Sequence, residues 1–262
     1  MGTEMPAEFY DQFIDRHLIP LEKSPWKKVY EEAARLLPES KDETIVDIGC
    51  GTGRFAKLLY DKGYRKYLGI DFSKGMLEEA KRYNPSFTFI EGNVYDEAIV
   101  RMLQKYNVFV LLEVLEHIEK DKAFLSSLPQ GSDMVISVPN YDSRAHVRHF
   151  KHIDEVIERY DGILDFQGSE KVVIKTSEQL KNEIYVLNCK KDNKRELACS
   201  ELMRITCEAL ACLCIKRASP NRTCKSPQLA FVVSGDAIFP GTIMIDPAAS
   251  QPFHGLAEPK DR

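Results

Sequence analysis

No apolar run reaches the ~18 residues needed to cross a bilayer as a helix, so no membrane span is expected. Charge of one sign is also missing. The chain has 36 basic and 40 acidic residues and a net charge of -4, which is too balanced for the positive field of a bulk nucleic-acid binder. The opening MGTEMPAEFYDQF has no basic flank followed by an apolar stretch, so no secretory signal is expected. Seven cysteines form no regular disulfide framework, and Cys207, Cys212, Cys214 and Cys224 lack the C-x₂₋₄-C pairing of structural zinc sites. Reduced thiols in a cytoplasmic chain are the simplest expectation. Internal repeats and low-complexity tracts are absent. With 44% apolar and 29% charged residues in 262, the chain can build one large or two small domains, and disorder throughout is excluded.

Composition shifts near residue 192. Residues 193–262 hold five of the seven cysteines and six of the 13 prolines, so the expected division is a domain over 1–192 and a C-terminal extension over 193–262. Within the extension, 195–216 has a helical apolar pattern. The first part alternates helix-like and strand-like segments, which argues for βαβ units and a mostly parallel sheet. Helical segments are expected over 6–18 and 25–37, then over 53–62, 74–83, 96–105, 116–127 and 152–160. Strands are expected at Thr44–Ile48, Tyr67–Ile70, Phe87–Ile90, Val108–Leu112 and Met134–Val138, then at Ile163–Phe166 with Val172–Ile174, and at Ile184–Leu187. The fold class is therefore α/β: a doubly wound, seven-stranded, mostly parallel sheet with N-terminal helices. Those helices, within residues 1–40, are expected to form a lid carrying Phe9, Tyr10 and Trp26.

Asp47-Ile48-Gly49-Cys50-Gly51-Thr52-Gly53 follows the first strand and opens a helix. Glycines let a backbone approach a ligand, and a helix N-terminus offers free N–H groups. The spacing is neither G-x-G-x-x-G nor a phosphate loop. A carboxylate at Asp47 disfavours pyrophosphate and favours a ligand carrying an amine or sulfonium. Asp71 ends the second strand, where an acidic residue can accept both hydroxyls of a ribose.

Two further clusters lie where strands leave the sheet. In Glu113-Val114-Leu115-Glu116-His117, helical spacing puts positions 113, 116 and 117 on one face. Two carboxylates and an imidazole there can hold a divalent cation or can simply wall a crevice. After the fifth strand, Arg144, His146, Arg148, His149 and His152 place three of the six histidines within seven residues. A neutral histidine there can take a proton from a hydroxyl or amine, and Arg144 and Arg148 can pair with a substrate anion. His149 and His152 are expected at the surface.

VDIGCGTG, LGIDFS, FIEGNVYD, LLEVLEHI and ISVPN occur in this order over residues 40–190. The segment resembles class I S-adenosylmethionine-dependent methyltransferases of the small-molecule type. The resemblance implies that Gly49, Gly51 and Gly53 shape the methionine-binding loop, with Asp47 near the amino group and Asp71 on the ribose. Phe72, Asn93, Val94 and Leu112 complete the expected cofactor wall, and Asn93 stands where Asp is common. His117 and His146 are the expected catalytic side chains, His146 because an H-x-R-x-F string is frequent at this place in the family. The 113–117 segment is also similar to two metal-using branches, the ubiquinone-pathway O-methyltransferases and the small-RNA 2′-O-methyltransferases. The same string occurs in metal-free relatives, and this segment offers three ligands at best, so no metal is expected. The implied activity is methyl transfer from S-adenosylmethionine to an oxygen or nitrogen of a small-molecule acceptor. The alternatives are a metal-assisted RNA 2′-O-methyltransferase and a non-catalytic S-adenosylmethionine-binding protein. Displacement at a sulfonium carbon needs no enzyme nucleophile, so few essential side chains are expected.

Overall fold

Short apolar runs bounded by turn residues pair into one seven-stranded sheet in the computed structural model, which describes residues 2–175 and 181–192. The strands are β1 (Ile45–Ile48), β2 (Tyr67–Asp71), β3 (Thr88–Glu91), β4 (Val108–Leu112), β5 (Asp133–Pro139), β6 (Leu164–Lys175) and β7 (Lys181–Lys191), in the order β3-β2-β1-β4-β5-β7-β6. β1 to β5 run parallel, and β7 inserts antiparallel between β5 and β6. β1, β2 and β4 are buried along their whole length, as central strands covered on both faces must be. The two apolar runs at 163–166 and 172–174 belong to one long strand, with a bulge between Phe166 and Gly168.

Alternation along the strands divides the core into two layers. Val46, Ile48, Phe109 and Leu111 face one side, together with Leu103, Leu125 and Tyr160. Ile45, Val108 and Val110 face the other, together with Val29, Phe55 and Leu77. The first layer is covered by α6 (Glu97–Leu103), α7 (Asp121–Ser127) and α8 (Ile153–Tyr160). The second is covered by α3 (Lys27–Leu36), α4 (Arg54–Asp61) and α5 (Lys74–Tyr83). Ser73 caps α5 by accepting the Met76 N–H at 3.1 Å, as its position predicts. Strand order reverses between β1 and β4, and in open parallel sheets the crevice beyond the carboxyl ends at such a point is where ligands bind.

Three helical expectations need correction. The segment 6–18 is two short helices, α1 (Ala7–Asp11) and α2 (Ile14–His17), because the chain turns at Gln12 and Phe13. The segment 25–37 is helical only as α3, with Trp26 as its N-cap. The segment 116–127 is helical only from Asp121. Glu113 adopts φ 58°, in the left-handed region, and residues 115–117 and 119–120 form turns. The expected helical pattern over 195–216 lies outside the described residues. Among the described residues, no helix is long and apolar enough to cross a membrane.

Candidate active site

The glycine loop joins β1 to α4 in a conformation that side chains resist. Gly49 has φ 74°, and a Cβ there would come 2.5 Å from Val114 Cγ2. Gly51 has φ 53° with nothing within 4 Å of a Cβ, so its backbone faces open space and the dihedral is what demands glycine. The Gly51 N–H donates to Asp71 Oδ2 at 2.8 Å, and the Ser73 N–H to Asp71 Oδ1 at 2.9 Å. Burial raises the Asp71 carboxyl above its usual range, and these N–H groups pull it back toward the charged form.

A cavity of about 590 Å³ opens at the carboxyl ends of β1, β2 and β4. Gly49, Gly51, Asp71, Phe72, Asn93, Val94 and Leu112 line it, so seven of the nine expected cofactor residues come together. Asp47 and Gly53 are not in its wall. Asp47 points into the layer of α3 to α5, where the Tyr67 hydroxyl donates to it at 2.5 Å. Burial pushes its carboxyl up to about 7. Gly53 is the left-handed N-cap of α4, a turn position behind the loop. The Asn93 amide oxygen accepts the Tyr95 N–H at 3.0 Å, which fixes the side chain in the wall.

The N-terminal segment roofs this cavity with Phe9, Tyr10 and Trp26, the residues expected in a lid, and adds His17 and Tyr30. Its path is pinned at both ends. The Gly2 and Thr3 N–H groups donate to the carbonyls of His146 and Arg144 at 2.8 and 3.1 Å. The Ser73 hydroxyl donates to Asp11 at 2.5 Å, and the Thr52 hydroxyl to the His17 carbonyl at 2.9 Å. Arg54, the first residue of α4, lines the cavity and donates to Ser24 Oγ at 3.0 Å. It also lies 3.3 Å from His17 Nδ1. Burial, then Arg54 and Arg16, lowers His17 to about 4, so it is neutral at pH 7 and can accept from Arg54. Sequence reading missed His17, Tyr30 and Arg54. Only Arg54 had a local signal, its place directly after the glycine loop.

At the other end, the turn after β4 meets the loop after β5. Ser137 Oγ accepts the Glu113 N–H at 2.9 Å and donates to Glu113 Oε1 at 2.8 Å. Glu116 is fully buried, and neither carboxylate oxygen has a donor at hydrogen-bond geometry. Burial raises both carboxyls, and the neighbouring charge of Glu113 raises Glu116 further. His117 Nδ1 lies 2.8 Å from the Ala145 carbonyl and 3.2 Å from the Tyr10 hydroxyl. His146 Nδ1 lies 3.0 Å from the Tyr141 carbonyl. A carbonyl can only accept, so in both rings Nδ1 carries the proton and Nε2 keeps its lone pair. The two rings meet edge-on with centroids 4.9 Å apart. Burial lowers both, His117 to about 4, and both are neutral at pH 7.

The basic loop divides by role. Arg148 does not await a substrate anion. Its guanidinium donates to the Leu115, Ile118 and Glu119 carbonyls and pairs with Asp121 at 3.3 Å, which holds the 115–121 turn together. Arg144 lines the cavity with its guanidinium over the Phe9 ring. His149 and His152 are not in the cavity wall.

The profile of a methyltransferase-domain family matches residues 22–182. Trans-aconitate 2-methyltransferase of Afipia carboxidovorans is 33% identical over 149 residues, covering 55% of this chain and 54% of that protein. Small RNA 2′-O-methyltransferase of Arabidopsis thaliana is 31% identical over 132 residues, covering 44% of this chain and 14% of that protein. The chain thus spans about half the length of the first relative and far less of the second. Among solved structures, the N-methyltransferase NodS from Bradyrhizobium japonicum WM9, in complex with S-adenosyl-L-homocysteine, superposes with a TM-score of 0.53 at 14% identity. The alignment covers 70% of this chain and 98% of NodS, a likeness of fold.

Proposed function

The chain belongs to the methyltransferase-domain family, and from that premise we propose that it transfers a methyl group from S-adenosylmethionine to an oxygen or nitrogen of a small-molecule acceptor. The observation that carries this reading is the roofed cavity. Its 590 Å³ is the size of a small-ligand site, and the N-terminal segment covers it.

The residues fit the donor. S-adenosylmethionine supplies a methyl group on a sulfonium, already activated for displacement. The open backbone at Gly51 admits close approach of the methionine portion. Asp71 keeps free lone pairs for ribose hydroxyls beyond its two backbone bonds. Phe72, Asn93, Val94 and Leu112 make the wall for the base. Arg54 pairs with no carboxylate among the described residues, so its charge is available to the donor's own carboxylate.

At the acceptor end, His117 and His146 present neutral Nε2 atoms to an incoming hydroxyl or amine. The carbonyl bonds at Nδ1 fix the orientation of both rings. Tyr10 ties His117 to the roof, so the roof helps hold the ring that faces the acceptor end. Holding donor and acceptor in line while excluding water supplies much of the rate in such a displacement.

The test is transfer of labelled methyl from S-adenosylmethionine into fractionated metabolite and RNA pools. Label in the small-molecule fraction, reduced with Asp71→Ala at subsaturating donor, is expected. Label confined to RNA, or donor binding with no transfer into either pool, would overturn the acceptor class.

A further inference from the structure

The roof of the cavity is held unequally along its length. From Asp11 onward its bonds reach buried partners. Asp11 accepts the hydroxyl of Ser73, which is 0% exposed, and the His17 carbonyl accepts that of Thr52, which is 4% exposed. The chain also packs closely on α5 here. A Cβ on Gly75 would come 2.6 Å from Ile14 Cδ1 and 2.8 Å from Asp11 Oδ1. Bonds sheltered from water in this way are stronger and open rarely.

Residues 2–4 are held by a different set. Gly2 and Thr3 give their N–H groups to the His146 and Arg144 carbonyls, in the loop after β5. The Glu4 carboxylate reaches two other loops through one oxygen. Its Oε2 accepts the Tyr95 hydroxyl at 2.8 Å and the Glu119 N–H at 2.9 Å. Tyr95 follows Asn93 and Val94 in the loop after β3, and Glu119 follows His117 in the turn after β4. One short strap thus crosses three of the loops that make the cavity wall. Water reaches its bonds, because Tyr95 is 39% exposed, Thr3 is exposed and Glu4 is only half-buried. Bonds exchanged so readily for water are the first to open.

We infer that residues 2–10 are a gate over the cavity, hinged where Asp11 sits on α5 and latched where Glu4 bridges Tyr95 and Glu119. Met5, Phe9 and Tyr10 line the cavity from this segment, so release of the latch uncovers it while α2 stays in place. Opening also takes the Tyr10 hydroxyl off His117. A ligand that ends beneath the roof enters and leaves by this step, as covered sites commonly require. The sequence expectation placed a lid within residues 1–40. The pattern of bonds narrows the moving part to residues 2–10. On the methyl-transfer reading above, the donor and its demethylated product are the ligands that pass, and Glu4 is a positioning residue for the roof that covers them.

The test has one arm that needs no ligand. Hydrogen–deuterium exchange is followed over residues 5–13 of the unliganded full-length chain. Glu4→Ala and Tyr95→Phe should each speed exchange there, Glu4→Ala by about tenfold, and leave residues 14–18 unchanged. Glu8→Gln, at an exposed position of α1 outside the cavity wall, should exchange as wild type does. Circular dichroism melts establish that the variants fold, and either latch variant alone suffices. The second arm is stopped-flow mixing with S-adenosylhomocysteine, read by Trp26, the single tryptophan, which lines the cavity. Association and dissociation should both quicken in Glu4→Ala, with little change in affinity, because a gate alters passage in both directions. Wild-type exchange over residues 5–13 in both latch variants would overturn the inference. So would faster exchange with unchanged association and dissociation, which would make the strap loose without being a gate. If S-adenosylhomocysteine shows no binding by calorimetry, the donor reading fails, and the exchange arm alone decides the latch.

Discussion

Asp71 carries two duties that one substitution separates. Its oxygens organise the glycine loop through Gly51 and Ser73, and the residue lines the cavity proposed to take the donor. Asp71→Ala should weaken S-adenosylhomocysteine binding by about 2 kcal/mol, roughly 30-fold, the scale of a lost charged hydrogen bond. Asp71→Asn should lose less, and isothermal calorimetry reads both. Asp47 behaves differently because it is sealed behind the loop. Its carboxyl is held near 7 in the folded chain, against roughly 3.9 when unfolded. Between these values the folded state binds the extra proton, so this group makes stability fall as pH rises from about 4 to 7, by at most about 1.4 kcal/mol per pH unit. Asp47→Asn should flatten the drop in melting temperature between pH 5 and pH 7, and an unchanged slope would contradict the burial argument. The acidic residue before the glycines was legible in the sequence as part of a motif. Its inward orientation was not, because it depends on the Tyr67 hydroxyl reaching across from the neighbouring strand. His17 was missed for a similar reason. It reaches the cavity through contacts with Thr52 and Arg54 that leave no periodic trace.

Strands were the most legible elements. Five short apolar runs flanked by Gly, Asp, Asn or Pro can be little else, and β1 to β5 lie within one or two residues of where alternation and length put them. The turn after β4 was not legible. Its i,i+3,i+4 spacing imitates a helix, but Glu113 turns left-handed and Arg148 captures the carbonyls that a helix would use internally. The same clamp makes α7 a test of packing. Arg159 pairs with Asp121 at 2.7 Å through two nitrogens, and the Tyr160 hydroxyl adds a bond at 2.8 Å. These bonds outweigh burial and hold the Asp121 carboxyl below its usual range. Its contribution is therefore full above the unfolded value of about 3.9 and is lost as pH falls through the lower folded value. Asp121→Asn should cost about 2–3 kcal/mol at pH 7, toward the low end for a broken buried pair because Arg159 is partly exposed. The gap between mutant and wild type should narrow below pH 4 in denaturant melts. An undiminished gap at pH 3 would show that packing, not charge, holds α7.

Among the described residues, the last strand is β7. Lys191 N–H donates to the Ser132 carbonyl and Asp192 N–H to that of Ile163, closing the described chain onto its own core. A protein ending at residue 192 should therefore keep a cooperative melt and bind donor as the full chain does. Loss of cooperativity would make 193–262 integral to the core. Fold class and the conformation of the glycine loop were readable because each rests on local pattern, whereas the meeting of Glu116, His117 and His146 required strand order. The central claim is that the crevice between β1 and β4 is an S-adenosylmethionine site. Calorimetric titration of the full chain with S-adenosylhomocysteine tests it most directly. One site per chain with micromolar affinity is the expected result, and no saturable binding, or the same affinity in Asp71→Ala, would contradict it.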